Sequence, residues 1–194
     1  MNPLSLLKGL FKGMVALGRG RVIVVSGPPG SGKTTYAKHI AEKLGLEMVS
    51  AGSIFRRIAR ERGISVVELN LIAERDPSID ILIDKMMLEK AKKGNVVLEG
   101  HLTAWIVAEY ADLRLYLTAP FGERVRRIAA REGRDISSVM VETAKREFSE
   151  ALRFMKYYGI DVMNLSIFDY VINTFRLSVD EVKRIIDHIL ETHF

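Results

Sequence analysis

The run Ser26-Gly27-Pro28-Pro29-Gly30-Ser31-Gly32-Lys33-Thr34-Thr35 constrains this chain more than any other stretch. It fits G-x-x-x-x-G-K-[ST] and stands between an apolar β-branched segment and a helical pattern. Val22-Ile23-Val24-Val25 is the unbroken kind of run that a parallel strand covered on both faces requires. Glycines at 27, 30 and 32 let the backbone turn its N–H groups inward around a polyphosphate, and the following helix adds its N-terminal partial positive charge. By the mechanics of the motif, Lys33 reaches the β- and γ-phosphates and the Thr34 hydroxyl is a ligand for Mg²⁺. Gly27, Pro28, Pro29, Gly30, Ser31, Gly32, Lys33, Thr34 and Thr35 are therefore expected to bind ATP or GTP.

Beyond the loop, strand-like and helical stretches alternate. Helical patterns are predicted over Lys33–Leu44, after the turn Ser50-Ala51-Gly52, from the capping box Ser65-Val66-Val67-Glu68, from Asp76-Pro77 to Lys93, over Leu102–Tyr110, from Pro120, over Ser137–Tyr158, and from a second capping box at Ser178. Strands are predicted at Arg21–Ser26, Leu46–Ser50, Asn95–Glu99, Asp112–Thr118 and Asp169–Asn173. The alternation predicts a doubly wound α/β fold with a five-stranded parallel sheet, residues 21–194 forming one phosphate-loop domain and residues 1–20 an N-terminal extension. In the extension, Leu4, Leu7, Leu10, Phe11 and Met14 line one side of a short helix. Lys8 and Lys12 interrupt the apolar run and no clear cleavage site follows, so a flexible arm, an oligomer contact or a start at Met14 fits better than a signal peptide or a membrane-surface helix.

Composition narrows the partners. The chain has 194 residues and no cysteine, which excludes disulfides and thiolate chemistry and is consistent with a reducing compartment. A net charge of +5 calls for anionic partners, and polyphosphates satisfy it without nucleic acid, for which there is no basic tail or aromatic-interleaved basic strand. No stretch approaches the roughly 20 apolar residues that span a bilayer. A cytoplasmic monomer acting on small nucleotides is expected.

Ligands of open α/β sheets gather at the carboxyl ends of strands. That places Ser50, Gly52 and Arg56 beside the phosphate loop, Arg56 either as a holder of a second anion or as a surface arginine on an amphipathic helix. It also places Glu99, Gly100 and His101 there. Glu99 either orients water on Mg²⁺ or caps a neighbouring loop, and His101 reads as a structural histidine in the absence of a second ligand at metal spacing. Arg124, Arg126, Arg127 and Arg131 make the helix after Pro120 basic, and Gly133 permits a break near its end. This segment is either a lid that closes over a triphosphate or an ion-paired surface. In the long helix, Val141, Ala144, Phe148, Ala151, Leu152 and Met155 line one side, with Arg146, Glu150 and Arg153 on the other. The polar stripe is either a set of ion pairs or a grip on a phosphate and a ribose hydroxyl.

The phosphate loop, Ser50-Ala51-Gly52 with Phe55-Arg56, Val97-Leu98-Glu99-Gly100, Arg127-Ile128-Ala129-Ala130-Arg131, the Arg146/Glu150/Arg153 stripe and Leu165-Ser166-Ile167-Phe168-Asp169 with Val171-Ile172-Asn173-Thr174 together resemble archaeal-type cytidylate kinase, from about Arg21 to the C-terminus. The resemblance implies the nucleoside monophosphate kinase type of fold with a helical lid, and transfer of the ATP γ-phosphate to CMP or dCMP with Mg²⁺. It implies a monophosphate-binding region at about 50–93 containing Ser50, Phe55 and Arg56, and a lid at about 124–158. Within that lid, Arg127 and Arg131 face ATP, and Arg146, Glu150 and Arg153 touch both substrates. It counts Lys33, Arg127, Arg131, Arg146 and Arg153 as catalytic. One position departs: His101 stands where the family usually has arginine. A kinase for another small acceptor such as UMP or AMP, and a phosphate-loop ATPase acting as a switch on RNA or protein, are the alternatives.

Overall fold

The computed structural model describes residues 19–194. The apolar stripe expected at Leu4, Leu7, Leu10, Phe11 and Met14 lies outside them. The sheet is built from β1 (Val22–Ser26), β2 (Glu47–Ser50), β3 (Val96–Glu99), β4 (Leu113–Thr118) and β5 (Tyr170–Asn173). All pairings are parallel and the strand order is β2-β3-β1-β4-β5. Period-two alternation in β1 divides the core: Val22 and Val24 join one apolar cluster, Ile23 and Val25 the other, and all four are fully buried.

Eight helices flank the sheet among the described residues: α1 (Lys33–Leu44), α2 (Ala51–Glu61), α3 (Val66–Ala73), α4 (Ser78–Lys93), α5 (Thr103–Ile106), α6 (Phe121–Glu132), α7 (Ile136–Tyr158) and α8 (Val179–His193). On one face α1 and α8 contribute Ile40, Ala41, Val182 and Ile186 to the core; on the other, α2, α3 and α4 contribute Ile54, Leu69, Ile79 and Met87. Both predicted capping boxes form, at Ser65/Glu68 and Ser178/Glu181. Where a helix is predicted over Leu102–Tyr110, only the single turn α5 forms. Its apolar residues are recruited separately, Leu102 to a cluster with Phe154 and Tyr158, Ala104 and Val107 to the sheet face.

The long helix α7 starts at Ile136, capped by Asp135, whose side chain accepts from Ser138 N at 2.9 Å. Its facing differs from ordinary amphipathic packing. Phe148 is 67% exposed and Leu152 55%, whereas Glu150 and Arg153 are at most 5% exposed. The polar stripe turns inward and the apolar one outward, because the groove that α7 covers is lined by charged partners on other elements. Together α6 and α7 hold only a small cluster of their own, Val125, Ile128, Ala129 and Val139.

Candidate active site

Parallel register sets Glu99 level with Val25 and with Ser50, so β1, β2 and β3 end on one line. The loops leaving that line border one open cavity, walled on its far side by α6 and α7. No helix among the described residues is long and apolar enough to cross a membrane.

The phosphate loop forms as its glycines require. Gly27, Gly30 and Gly32 take φ of 143°, 78° and 95°. A Cβ on Gly30 would also lie 2.6 Å from the Arg124 carbonyl oxygen, so a side chain is barred there twice over. Lys33 Nζ donates to Pro28 O at 2.9 Å. Burial lowers the Lys33 pKa to about 8, Arg146 and Arg124 acting in the same sense against Glu99 and Glu150. Pro29, Gly30, Gly32, Lys33, Thr34 and Thr35 line the cavity. Gly27 and Pro28 lie behind them, and Ser31 is fully buried.

Glu99 joins two sides of the cavity: its Oε2 accepts from Ser50 Oγ at 2.5 Å and from Thr34 Oγ1 at 3.4 Å. Ser50 also caps α2, accepting from Ser53 N at 3.1 Å. One helical turn on, Arg56 donates to Ser53 Oγ at 3.1 Å and lines the cavity with Gly52 and Phe55. Burial, with Arg146 and Arg131 and against Glu99, pulls the Arg56 pKa below its ordinary value. Gly100 has no room for a side chain, since a Cβ would lie 2.3 Å from Thr103 Oγ1.

Glu150 has two partners, a guanidinium and an imidazole. Arg146 Nε donates to its Oε1 at 2.8 Å and His101 Nδ1 lies 2.8 Å from its Oε2. Burial opposes its ionisation, yet Arg146 and His101 hold the carboxyl well below the usual carboxylate range. An ionised carboxylate only accepts, so His101 carries a hydrogen on Nδ1. His101 is thus fixed by α7 and by an edge-on contact with Phe154, centroids 5.9 Å apart. Deeper in, Arg153 Nε pairs with Asp80 Oδ2 at 2.9 Å, and its Nη1 donates to Asn70 Oδ1 at 3.0 Å and Ser149 Oγ at 3.3 Å. Asp84 accepts from Tyr158. Burial, with Asp80 nearby, pushes the Asp84 pKa up to about 8 against the Tyr158 hydrogen bond.

The two lid arginines separate. Arg131 lines the cavity, paired with Glu132 at 2.6 Å. Arg127 is drawn out of it, its Nη1 donating to Thr174 Oγ1 at 2.8 Å and its Nη2 to Thr174 O at 3.0 Å. Sequence reasoning read Arg124 only as one of a basic set, but it is the buried connector of the region. It donates to Pro29 O at 2.9 Å and Ala119 O at 3.0 Å and pairs with Glu147 of α7. Nothing local marks that contact across 23 residues. Asp80 and Asp84 were also missed, and a signal existed for them. They share a helical face with Met87, Leu88 and Ala91, where a solvated carboxylate has no place.

Comparison with known proteins agrees with this architecture. A family described as AAA domain matches residues 26–145. A cytidylate kinase of Staphylothermus marinus is 57% identical over 170 residues, 88% of this chain and 96% of that one. A cytidylate kinase of Ignicoccus hospitalis is 51% identical over 87% of this chain and 98% of that one. Among solved structures, a shikimate kinase from Bacteroides thetaiotaomicron superposes with a TM-score of 0.57 at 16% identity, covering 88% of this chain and 98% of its own, which establishes likeness of fold.

Proposed function

Because the chain belongs to the cytidylate kinases, we propose that it transfers the γ-phosphate of ATP to CMP or dCMP in the cavity between the phosphate loop and α7, giving ADP and CDP or dCDP. The observation that carries the placement is that one cavity is lined jointly by the phosphate loop and by Arg56, His101, Arg131 and Arg146. Two polyanions brought together need that much positive charge to offset their repulsion.

The triphosphate rests on the loop amides with Lys33 at its β- and γ-phosphates. At pH 7 an ammonium with a pKa of about 8 is still mostly protonated, and bound phosphates favour that form further. The acceptor phosphate lies toward Arg56, with Arg146 between the two anions and Arg131 approaching from the lid. A phosphate monoester has its second pKa near about 6, so the acceptor is largely dianionic at neutral pH and needs no general base. Catalysis then rests on alignment and on preorganised positive charge.

Thr34 and Glu99 present hard oxygens 3.4 Å apart at the cavity wall, a donor set that suits Mg²⁺ with water completing its shell. Bound there, Mg²⁺ supplies neutralisation of charge on the transferred phosphoryl group. Arg127 acts by holding α6 to the loop after β5 through Thr174, which also donates to Ser31 O at 3.4 Å. We take the enzyme to act as a monomer in a cytoplasmic setting, to which small nucleotide substrates and a chain without cysteine are suited.

The test is initial-rate ADP production with Mg²⁺-ATP as donor and CMP, dCMP, UMP, AMP and GMP as separate acceptors. CMP and dCMP are expected to exceed the others about tenfold or more, a margin of roughly 1.4 kcal/mol. UMP or AMP in first place contradicts the acceptor assignment.

A further inference from the structure

Arg124 meets the phosphate loop from behind. It is 6% exposed and is not among the residues that line the cavity, so its guanidinium does not face the substrates. Its donors are spent on protein. Nε donates to Ala119 O at 3.0 Å, Nη1 to Pro29 O at 2.9 Å and to Glu147 Oε1, and Nη2 to Glu147 Oε2 at 3.1 Å. The Phe121 ring lies against it, with its centroid 5.4 Å from Cζ. The start of α6 and the Glu147 carboxylate of α7 therefore fix the guanidinium, and the fixed guanidinium grips one carbonyl of the loop.

In a planar trans peptide the carbonyl and the N–H that follows it point in opposite directions. Pro29 O directed at Arg124 thus turns the Gly30 N–H away from the guanidinium, and among the described residues no partner takes that hydrogen. Gly30 lines the cavity. Sterics alone do not choose this orientation, because turning the Pro29–Gly30 plane over changes only Pro29 ψ and Gly30 φ, and glycine, here at φ 78°, accepts either sign. In the turned-over peptide the N–H would face the donors of Arg124, and a carbonyl oxygen would face the phosphates. We propose that Arg124 is a positioning residue that selects the orientation in which the Gly30 N–H is aimed at the phosphates of ATP. Its charge also polarises the peptide, which makes that N–H a stronger donor. Glu147 serves by holding the guanidinium from α7. The assignment rests on ATP being bound at the phosphate loop.

Two measurements decide it. The first follows backbone amides by NMR in the wild type and in Arg124→Met as Mg²⁺-ADP is added. The Gly30 amide proton is expected to move downfield in the wild type, as a donor to an anion does, and by about half as much or less in Arg124→Met. The second is calorimetric titration with the β,γ-imido analogue of ATP and, separately, with CMP. In Arg124→Met the Kd for the analogue is expected to rise about tenfold, as loss of one phosphate hydrogen bond dictates, while the Kd for CMP stays within about twofold. Glu147→Gln keeps the bond to Pro29 and should raise the Kd for the analogue by less than about threefold. If Arg124→Met does not fold, Arg124→Lys takes its place; a single ammonium cannot serve Ala119, Pro29 and Glu147 together, and a rise of about threefold or more is expected. An unchanged Kd for the analogue, an equal rise for CMP, or a rise in Glu147→Gln that matches that of the Arg124 variant overturns the proposal. Loop amides that all ignore Mg²⁺-ADP in the wild type reject the placement of ATP on the loop and this proposal with it. A response at Gly32 and Lys33 without one at Gly30 rejects this proposal alone.

Discussion

The phosphate loop and the inner face of α7 both present positive charge to one cavity, but they are made differently. The loop is a backbone device: ten consecutive residues, three glycines at positive φ, and one lysine. The face of α7 is a side-chain device, in which each cation is held by a carboxylate: Arg146 by Glu150 of its own helix, Arg153 by Asp80 of α4. The first holds its shape through conformations that few residues adopt, the second through pairs that would be costly to leave unmatched underground. Changes to the loop's functional group should therefore strike activity, and changes to the α7 pairs should strike stability as well.

The largest effect is expected for Asp80→Ala. A buried guanidinium cannot shed its charge, so Arg153 left without its carboxylate should cost about 3 kcal/mol of stability or more. Arg153→Ala should cost less, because Asp80, whose pKa burial already raises, can take a proton. Thermal unfolding of the two variants gives the order, and equal losses would mean that the pair is not the organising contact. Lys33→Ala should lower kcat/KM by about a hundred- to a thousand-fold, as removal of one preorganised donor does, with the melting temperature little changed. A variant that melts far below the wild type would blur the contrast between the two regions.

Arg56→Ala sits between them and should raise the KM for the monophosphate about tenfold while leaving kcat within a few fold, a change read from initial rates. The smallest effects are those of pH. As pH rises through about 8 the Lys33 ammonium loses its charge, and kcat/KM for ATP should decline there. Asp84 has a folded pKa of about 8 against an ordinary 3.8. Its neutral form is the one folding favours, so its contribution to stability is complete below about pH 4 and is lost as pH rises toward 8. The melting temperature of Asp84→Asn relative to the wild type should accordingly increase from pH 4 to pH 8.

The same contrast explains what could be read from the sequence. The loop, both capping boxes, and all five strands within a residue or two are local patterns, and each appears where its residues dictate. The fold followed from them. The partners of α7 did not, because they depend on residues brought together from afar: Arg153 with Asp80 and Asn70, Arg124 with Glu147 and Pro29. Hydrophobic periodicity was misleading in α7, where Phe148 and Leu152 face solvent while Glu150 and Arg153 face inward. The rule that buries the apolar stripe fails when the surface to be covered is itself charged. His101 shows the other limit: its residue type suggested a structural role, but only the position of Glu150 shows that its Nδ1 is bound into the α7 network.

The central claim is that this cavity passes a phosphoryl group from one nucleotide to another and denies it to water. The most direct test is stoichiometry, with ATP consumed and CDP formed measured in the same reaction, with CMP and without it. The account predicts one CDP for each ATP consumed and little ATP consumption when CMP is left out. ATP consumption that proceeds equally without CMP, or that outruns CDP, would contradict it and show a nucleotide hydrolase in place of a kinase.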